Sequence, residues 1–418
     1  MQRRRILKYP NQLRLVVTFC LLLSNCQSVD AQRGFVDFEK FTLDGNFTGG
    51  YGIELADIDG DSLLDVVALS TNPASLVWYK NPSWERYTIS IATTGNIDVA
   101  ANDIDGDGDT DLVLASAFNL SESTEGGLVH WLENPGNPME NQEWEMHPID
   151  QIPTTHRISW ADINGDGKDE LLSLPIIGVG AAAPEYAVNL ELRAYEVPRN
   201  LNRERWPSVV LDNSLQLSHG LGITDWNEDG REDILTTSFY GVHLFQLATR
   251  GQMVSKQYLA MGNQDGERPS IGSSEVAVGN ITSESSAPYS LEDNRFIATI
   301  EPWHGNEVVV YTPGQNRDAL WEREVIADDY ANGHGLVIAD LDNDGNDEII
   351  AGGRCEPFQL SIHRYDDAEQ NWKTLVLDAG GVAVSGLAVA DLNGDGYQDI
   401  VAIGASTQNV VYYQNSGK

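Results

Sequence analysis

One nine-residue acidic pattern recurs along this chain and leaves few architectures open to it. Asp57, Asp59, Asp61 and Asp65 occupy positions one, three, five and nine, and the spacing returns in Asp103, Asp105, Asp107 and Asp111. It returns again as Asp162, Asn164, Asp166 and Glu170, and as Asp225, Asn227, Asp229 and Asp233. Two more copies follow, Asp340, Asp342, Asp344 and Glu348, then Asp391, Asn393, Asp395 and Asp399. The gap between the fourth and fifth of these leaves room for one further unit, because Val276–Asn280 aligns with Leu387–Asp391. The chain therefore holds seven units, at steps from 46 residues (57 to 103) to 63 (162 to 225), and the fifth has lost its acids.

Each unit has the same β-rich grammar. Gly335–Ala339 enters an acidic loop, Glu348–Gly352 leaves it, and Leu360–Tyr365 and Trp372–Leu377 complete four expected antiparallel strands. Four such strands per unit make an all-β, seven-bladed β-propeller, and no segment sustains the 3.6 period of a helical solenoid. The seventh unit supplies only three strands before Lys418, while Phe38–Leu43 matches Asn371–Val376. The N-terminal strand is thus expected to close the last blade and remove the open edges of the array.

Arg3, Arg4, Arg5 and Lys8 precede an apolar run, Leu15–Leu23, that is too short to span a bilayer. Residues 1–31 read as an export signal and 32–418 as one propeller, with no transmembrane segment. The alternative is a lipoprotein signal to residue 25 with a lipid anchor at Cys26, since Leu23-Ser24-Asn25-Cys26 resembles a lipoprotein box. The expected location is secreted, periplasmic or extracellular, or lipid-anchored at the cell surface. With Cys20 in the signal, Cys355 and Cys26 allow no disulfide framework. The 26 basic against 63 acidic residues, a net charge of −37, argue against nucleic acid as a partner, and the clustering of acids in loops points to bound cations.

Carboxylates at alternating loop positions suit Ca²⁺, which takes six to eight oxygens in flexible geometry. An EF-hand needs Glu at position twelve and flanking helices, whereas Ser173, Thr236 and Ala351 stand there between apolar strands. The pattern resembles the FG-GAP (VCBS) repeats of integrin α-subunit propellers and many secreted bacterial proteins. That resemblance implies about six structural calcium sites at the four positions of each intact loop. Asn280, Thr282 and Glu284 break the pattern in the fifth unit.

The repeat frame also sorts the eight histidines. His130, His243 and His363 fall in third strands and His147 in a fourth, where packing is the expected role. His156, His219 and His334 each stand six residues before the first acid of their unit, at the start of the strand that lines the axis. His304 lies in the hairpin that returns to the same end. Four histidines from neighbouring units should therefore meet at the channel mouth opposite the acidic loops. His156, His219 and His334 are candidate ligands for Zn²⁺ or another divalent metal, with His304 as base and His219 shared between the two roles. Arg157, Tyr240, Arg268 and Arg354 fall in the same class of mouth segments and could hold a polar or anionic substrate. Trp303 could stack on a sugar ring, and Glu301 beside it is a further candidate substrate contact.

The stretches Ser218–Asn227, Glu301–Asn306 and Gly333–Leu336 are similar to the propeller domain of aldos-2-ulose dehydratases, which act on 1,5-anhydrofructose and related keto-sugars with a divalent metal. That resemblance implies a carbohydrate-active lyase, and without the family's cupin domains only its dehydration step. Ulvan and related polysaccharide lyases also set His and Tyr on a seven-bladed propeller, which makes uronates the neighbouring substrate class. In this reading Tyr240 protonates the leaving group and Arg354 holds an oxyanion or carboxylate. The alternative is a non-catalytic propeller of the cell surface that binds glycans or proteins.

Overall fold

A computed structural model of the protein describes residues 34–140, 143–201, 205–248, 252–282, 294–316 and 319–418. The expected export signal, its Cys20 and Cys26, and Glu284 lie outside the described residues. Seven four-stranded antiparallel sheets form, each with its strands in chain order from the axis outward, except that the last is closed by Phe38–Asp44. That closing strand pairs with Asn409–Asn415, Phe38 opposite Asn415 and Phe41 opposite Tyr412. The seven-bladed propeller and its N-terminal closure are both present, within one compact unit of Phe35–Lys418.

We number the blades by their inner strands: Gly50–Ala56, Asp98–Asn102, Thr155–Ala161, Leu221–Thr224, Val276–Asn280, Gly333–Ala339 and Val384–Ala390. Each inner strand packs beside the next, and blade 7 returns to blade 1, so the ring closes. Second strands read as unbroken apolar runs because both faces are covered; Asp111–Ser116 and Ile400–Ile403 are buried throughout. The core consists of seams between blades. Val67, Leu69, Leu76 and Trp78 of blade 1 pack on Val99, Leu112, Leu114 and Leu132 of blade 2. Truncating one such side chain, Trp78 for example, costs about 3–5 kcal/mol.

Positions four and six of all six acidic loops are left-handed: Gly106 and Gly108 at φ 81° and 97°, and Glu228 and Gly230 at 55° and 81° in blade 4. Glycine dominates there because other residues pay a steric cost. The ninth-position acids are buried and hold more than the loop. Asp111 accepts the backbone N–H of Ile104 (3.1 Å) and of Asn134 (2.7 Å), and Asp65 and Asp399 do the same with Ile58 and Asn81, and with Leu392 and Asn415. The three asparagines then donate across the seams, Asn134 to the Ile58 carbonyl (3.0 Å), Asn415 to Leu341 (2.8 Å) and Asn81 to Leu392 (2.6 Å). In blade 5 the register position of the ninth acid, opposite Gly279, is taken by Phe296, and the residue before it, opposite Asn280, is Arg295. Its guanidinium donates to the carbonyls of Trp226 and Asp225 (3.2 Å to the latter), so the seam to blade 4 is closed by a side-chain cation.

Candidate functional site

Two residues before each sixth-upstream position, the chain turns through a left-handed residue in six of the seven blades: Gly49, Gly95, Thr154, Leu217, Gly272 and Asn332. This repeated turn delivers Tyr51, His156, His219 and His334 to one end of the inner strands. His304 joins them from the hairpin between Arg295–Glu301 and Glu307–Thr312, itself left-handed at φ 50°. Histidine tolerates that region better than most residues, and strain of this kind persists only where neighbours hold it. The ring centroid of His219 lies 4.4 Å from that of His156, 4.7 Å from His304 and 5.1 Å from His334. Ring nitrogens of His219, His304 and His334 fall within 4.8 Å of one another.

Partners dictate the tautomers of this cluster, given that burial keeps all four imidazoles neutral: His304 is pushed down to about 3 and the other three well below the usual range. The Arg354 guanidinium can only donate, so its contact with His304 Nδ1 (3.1 Å) leaves the proton on Nε2. That proton is shared with His219 Nε2 at 3.0 Å, which puts the His219 proton on Nδ1, 2.8 Å from Glu275 Oε1. On the other side, His334 Nδ1 donates to the Ser385 carbonyl (2.7 Å), Tyr51 donates to His334 Nε2 (3.1 Å), and His156 Nε2 donates to the Tyr51 oxygen (3.0 Å). Two ring nitrogens are left without a hydrogen bond: His156 Nδ1, and His219 Nδ1, which lies close to Glu275 but not in hydrogen-bonding geometry.

Beneath the histidines, Arg157 of blade 3 reaches across to Glu275 of blade 5 (3.0 Å). Asp98, one blade away, accepts the Ile158 N–H (2.9 Å), and burial raises its carboxyl to about 6. Glu54 is raised to about 8 by burial and by the charge of Asp98. Tyr51, Glu275, Asp98 and Glu54 were not singled out from the sequence. Tyr51 shares the register of the histidines, and Glu275 and Asp98 share that of Arg157, so the signal was available in the repeat frame.

Other expected site residues are placed differently. Tyr240 is 40% exposed, donates to Gln216 (3.1 Å), and shares that acceptor with Arg268 (3.0 Å), whose guanidinium lies over Phe239. No hydrogen bond or ion pair links either to the histidines among the described residues; the phenol at the cluster is Tyr51. Glu301 is fully buried, and Ser273, Thr299, Tyr311 and Arg323 donate to it at 2.8–2.9 Å, which makes it a framework carboxylate. Trp303 does lie at the cluster, its ring 4.5 Å from His304. It packs with Ile177, Tyr186 and Phe239, the first two from the long connection between the second and third strands of blade 3. The framework histidines have framework partners: His363 sits between Tyr330 and Thr374 (2.9 Å each), and His147 pairs with Glu133 (2.9 Å).

At the opposite face, carboxylate oxygens of Asp57, Asp59 and Asp61, of Asp103, Asp105 and Asp111, and of Asp340, Asp342 and Asp344 each gather within 4.8 Å. In the first loop the Lys80 ammonium lies on Asp59 and on Asp61, 2.6 Å from the latter.

Residues 126–314 match the family model of the aldos-2-ulose dehydratase beta-propeller domain. Residues 57–114 match an FG-GAP-like repeat and 383–418 an FG-GAP repeat. Among curated proteins, aldos-2-ulose dehydratase of Phanerodontia chrysosporium is 27% identical over 306 residues, covering 67% of this chain and 32% of that protein. The chain thus spans about a third of that relative's length. Among solved structures, an Agrocybe aegerita lectin that recognises non-reducing terminal N-acetylglucosamine superposes with a TM-score of 0.50 at 14% identity, over 83% of this chain and 91% of the lectin. The V. cholerae biofilm matrix protein Bap1 gives 0.49 at 11% identity, over 91% of each chain. At such identities the likeness to the lectin is one of fold. The dehydratase match takes in His156, Arg157, His219, Glu275, Trp303 and His304; Tyr51, His334 and Arg354 lie outside it.

Proposed function

We propose that this chain is a secreted carbohydrate-acting carbon–oxygen lyase, performing β-elimination on a keto-sugar or uronate at the histidine mouth. The likeness to the propeller of a sugar dehydratase supports the substrate class. The observation that carries the reading is the convergence of four neutral imidazoles, a phenol and a guanidinium on one buried point.

His219, His304 and His334 fit a divalent metal of zinc type, being neutral nitrogen donors already grouped, with Glu275 behind His219 as such ligands usually have. A metal there would take the Nε2 lone pairs, so the His304 proton would move to Nδ1 and Arg354 would release that nitrogen, and the ion would polarise the substrate carbonyl. This exchanges the roles expected of His156 and His304. His156, whose Nδ1 is bare, and Tyr51, bonded to it, are left for proton transfer. In the elimination the carbon–hydrogen bond beside the carbonyl breaks toward the His156–Tyr51 pair, and its electrons form the double bond. The β-oxygen leaves with the proton that Tyr51 returns to it. The acidic loops of the opposite face would hold calcium as structural ions, away from this chemistry.

Alanine at His219, at His304, or phenylalanine at Tyr51 should each lower formation of the conjugated unsaturated product by roughly 100-fold or more, followed by ultraviolet absorbance. Metal analysis of the purified protein should find one zinc-type ion that His219→Ala loses, beside calcium. Alanine at both His219 and His304 with activity intact on every keto-sugar and uronate tried would overturn the reading.

A further inference from the structure

Three blades finish their third strand on one pattern, an aromatic residue, a polar residue two places on, and then the seam asparagine. These are Trp78, Lys80 and Asn81 in blade 1, Trp131, Glu133 and Asn134 in blade 2, and Tyr412, Gln414 and Asn415 in blade 7. The outer strand answers each in the same way in two of the three. Blade 1 sets Tyr87 opposite Trp78 and Glu85 opposite Lys80, and blade 7 sets Phe41 opposite Tyr412 and Glu39 opposite Gln414. Blade 2 keeps the outer glutamate, Glu145, and departs at the other two places: His147 stands opposite Trp131, and Glu133 opposite Glu145.

Ring packing survives the change. His147 stacks on Trp131 at 4.4 Å and 28°, much as Tyr87 stacks on Trp78 at 4.9 Å and 24°. Charge pairing does not survive it, because two carboxylates directly opposite on one face of a sheet repel. Among the described residues neither glutamate has a lysine or arginine within ion-pair distance; Glu133 Oε2 lies 2.9 Å from His147 Nε2. Glu133, Glu145 and His147 each offer one ligand atom, and the three atoms lie within 4.8 Å of one another. Both departures from the repeat thus add a donor at the same point. One turns a packing ring into a nitrogen ligand, and the other turns a neutral or cationic partner into an oxygen ligand.

We propose that blade 2 carries a transition-metal site of zinc type at its outer edge, with Glu133, Glu145 and His147 as ligands. The imidazole separates it from the acidic loops, whose all-oxygen donor sets suit calcium. The ion neutralises the two facing carboxylates and clamps the third strand to the fourth. Water completes its coordination, since Glu145 is exposed. The site stands at the end of the third strand beside seam residue Asn134, and it does not depend on the lyase reading of the histidine mouth.

The experiment uses the full mature chain, stripped with a chelator, returned to excess calcium to fill the acidic loops, and titrated calorimetrically with zinc chloride. His219→Ala removes the zinc proposed for the mouth, so this variant should still bind one zinc ion and melt higher with it than without. Adding His147→Tyr, Glu133→Gln or Glu145→Gln should weaken that ion by roughly tenfold or more and abolish the rise. The first two install residues that Tyr87 and Gln414 already represent at the same places in blades 1 and 7, so the packing of the blade is kept. No zinc bound by His219→Ala in excess calcium overturns the proposal, as does zinc bound with unchanged affinity after His147→Tyr. Should His219→Ala fail to fold, the unaltered chain and His147→Tyr are compared directly; they should differ by one zinc ion, and equal stoichiometry overturns the proposal. Zinc lost with His147 and none lost with His219 upholds this site and removes the metal from the lyase reading alone.

Discussion

Lys80 shows how one residue can separate loops that look equivalent. Its ammonium lies on Asp59 and Asp61, two of the oxygens expected to face an ion, while the same strand register in blade 2 holds Glu133. A built-in cation competes with calcium for the first loop, so that loop should bind calcium more weakly than the others. Lys80→Gln should free both carboxylates and add a tight site, or tighten one at least tenfold, in a calcium titration. Unchanged stoichiometry and affinity would show that the lysine moves aside freely. Residue-level legibility followed the same logic. The six-residue offset placed His156, His219 and His334 at one mouth because a repeat converts position into register. That Arg157 and Glu275 meet across the axis was not legible, since it depends on the angle between blades 3 and 5. Tyr240, in a two-residue hairpin, and Arg268, in the connection from blade 4 to blade 5, bond to Gln216 and Glu185 and not to the histidines, a choice of partner that repeat position does not encode.

Four of the blade seams are held partly by a side chain that the repeat disguises. Asn134 closes the seam between blades 1 and 2 by donating to the Ile58 and Thr110 carbonyls (3.0 and 2.9 Å), while its own N–H is held by Asp111. Asn134→Ala leaves two largely buried carbonyls unpaired and should cost about 1–3 kcal/mol in urea unfolding. A loss below about 0.5 kcal/mol would mean that water replaces the amide without penalty. The strands themselves were legible because unbroken apolar runs and acidic turns alternate at a regular step, and the closing strand because Phe38–Leu43 repeats a fourth-strand pattern. The seams were not. Asn81, Asn134 and Asn415 read as ordinary strand-end residues until the neighbouring blade is present to supply an acceptor. Arg295 likewise reads as an ordinary charged strand end until the Trp226 carbonyl of blade 4 is there to accept from it.

For the whole ring, the acidic loops tie stability to pH, and the calcium proposed for them would tie it to calcium with the opposite sign. Without bound cations, burial raises Asp65, Asp111 and Glu170 to about 7 and Glu348 to about 8. Unfolded, these groups titrate near 4. Between about pH 4 and 8 the folded ring therefore holds more protons than the unfolded chain, and stability falls as pH rises through that window. The proposed calcium would invert the relation: it requires the ionised carboxylates, so its binding would strengthen as they lose their protons, and the ring would gain stability from an ion bound only when folded. Melting temperature in a chelator should decline from pH 5 to pH 8, and in excess calcium should hold level or rise over the same range. General repulsion within a chain of charge −37 would also weaken the ring as pH rises, but sodium chloride screens it without reference to loop geometry. Matched ionic strength separates the two effects. If sodium chloride at the same ionic strength restores the melting temperature as fully as calcium, the loops act as a diffuse acidic surface and the ring is not built around ions.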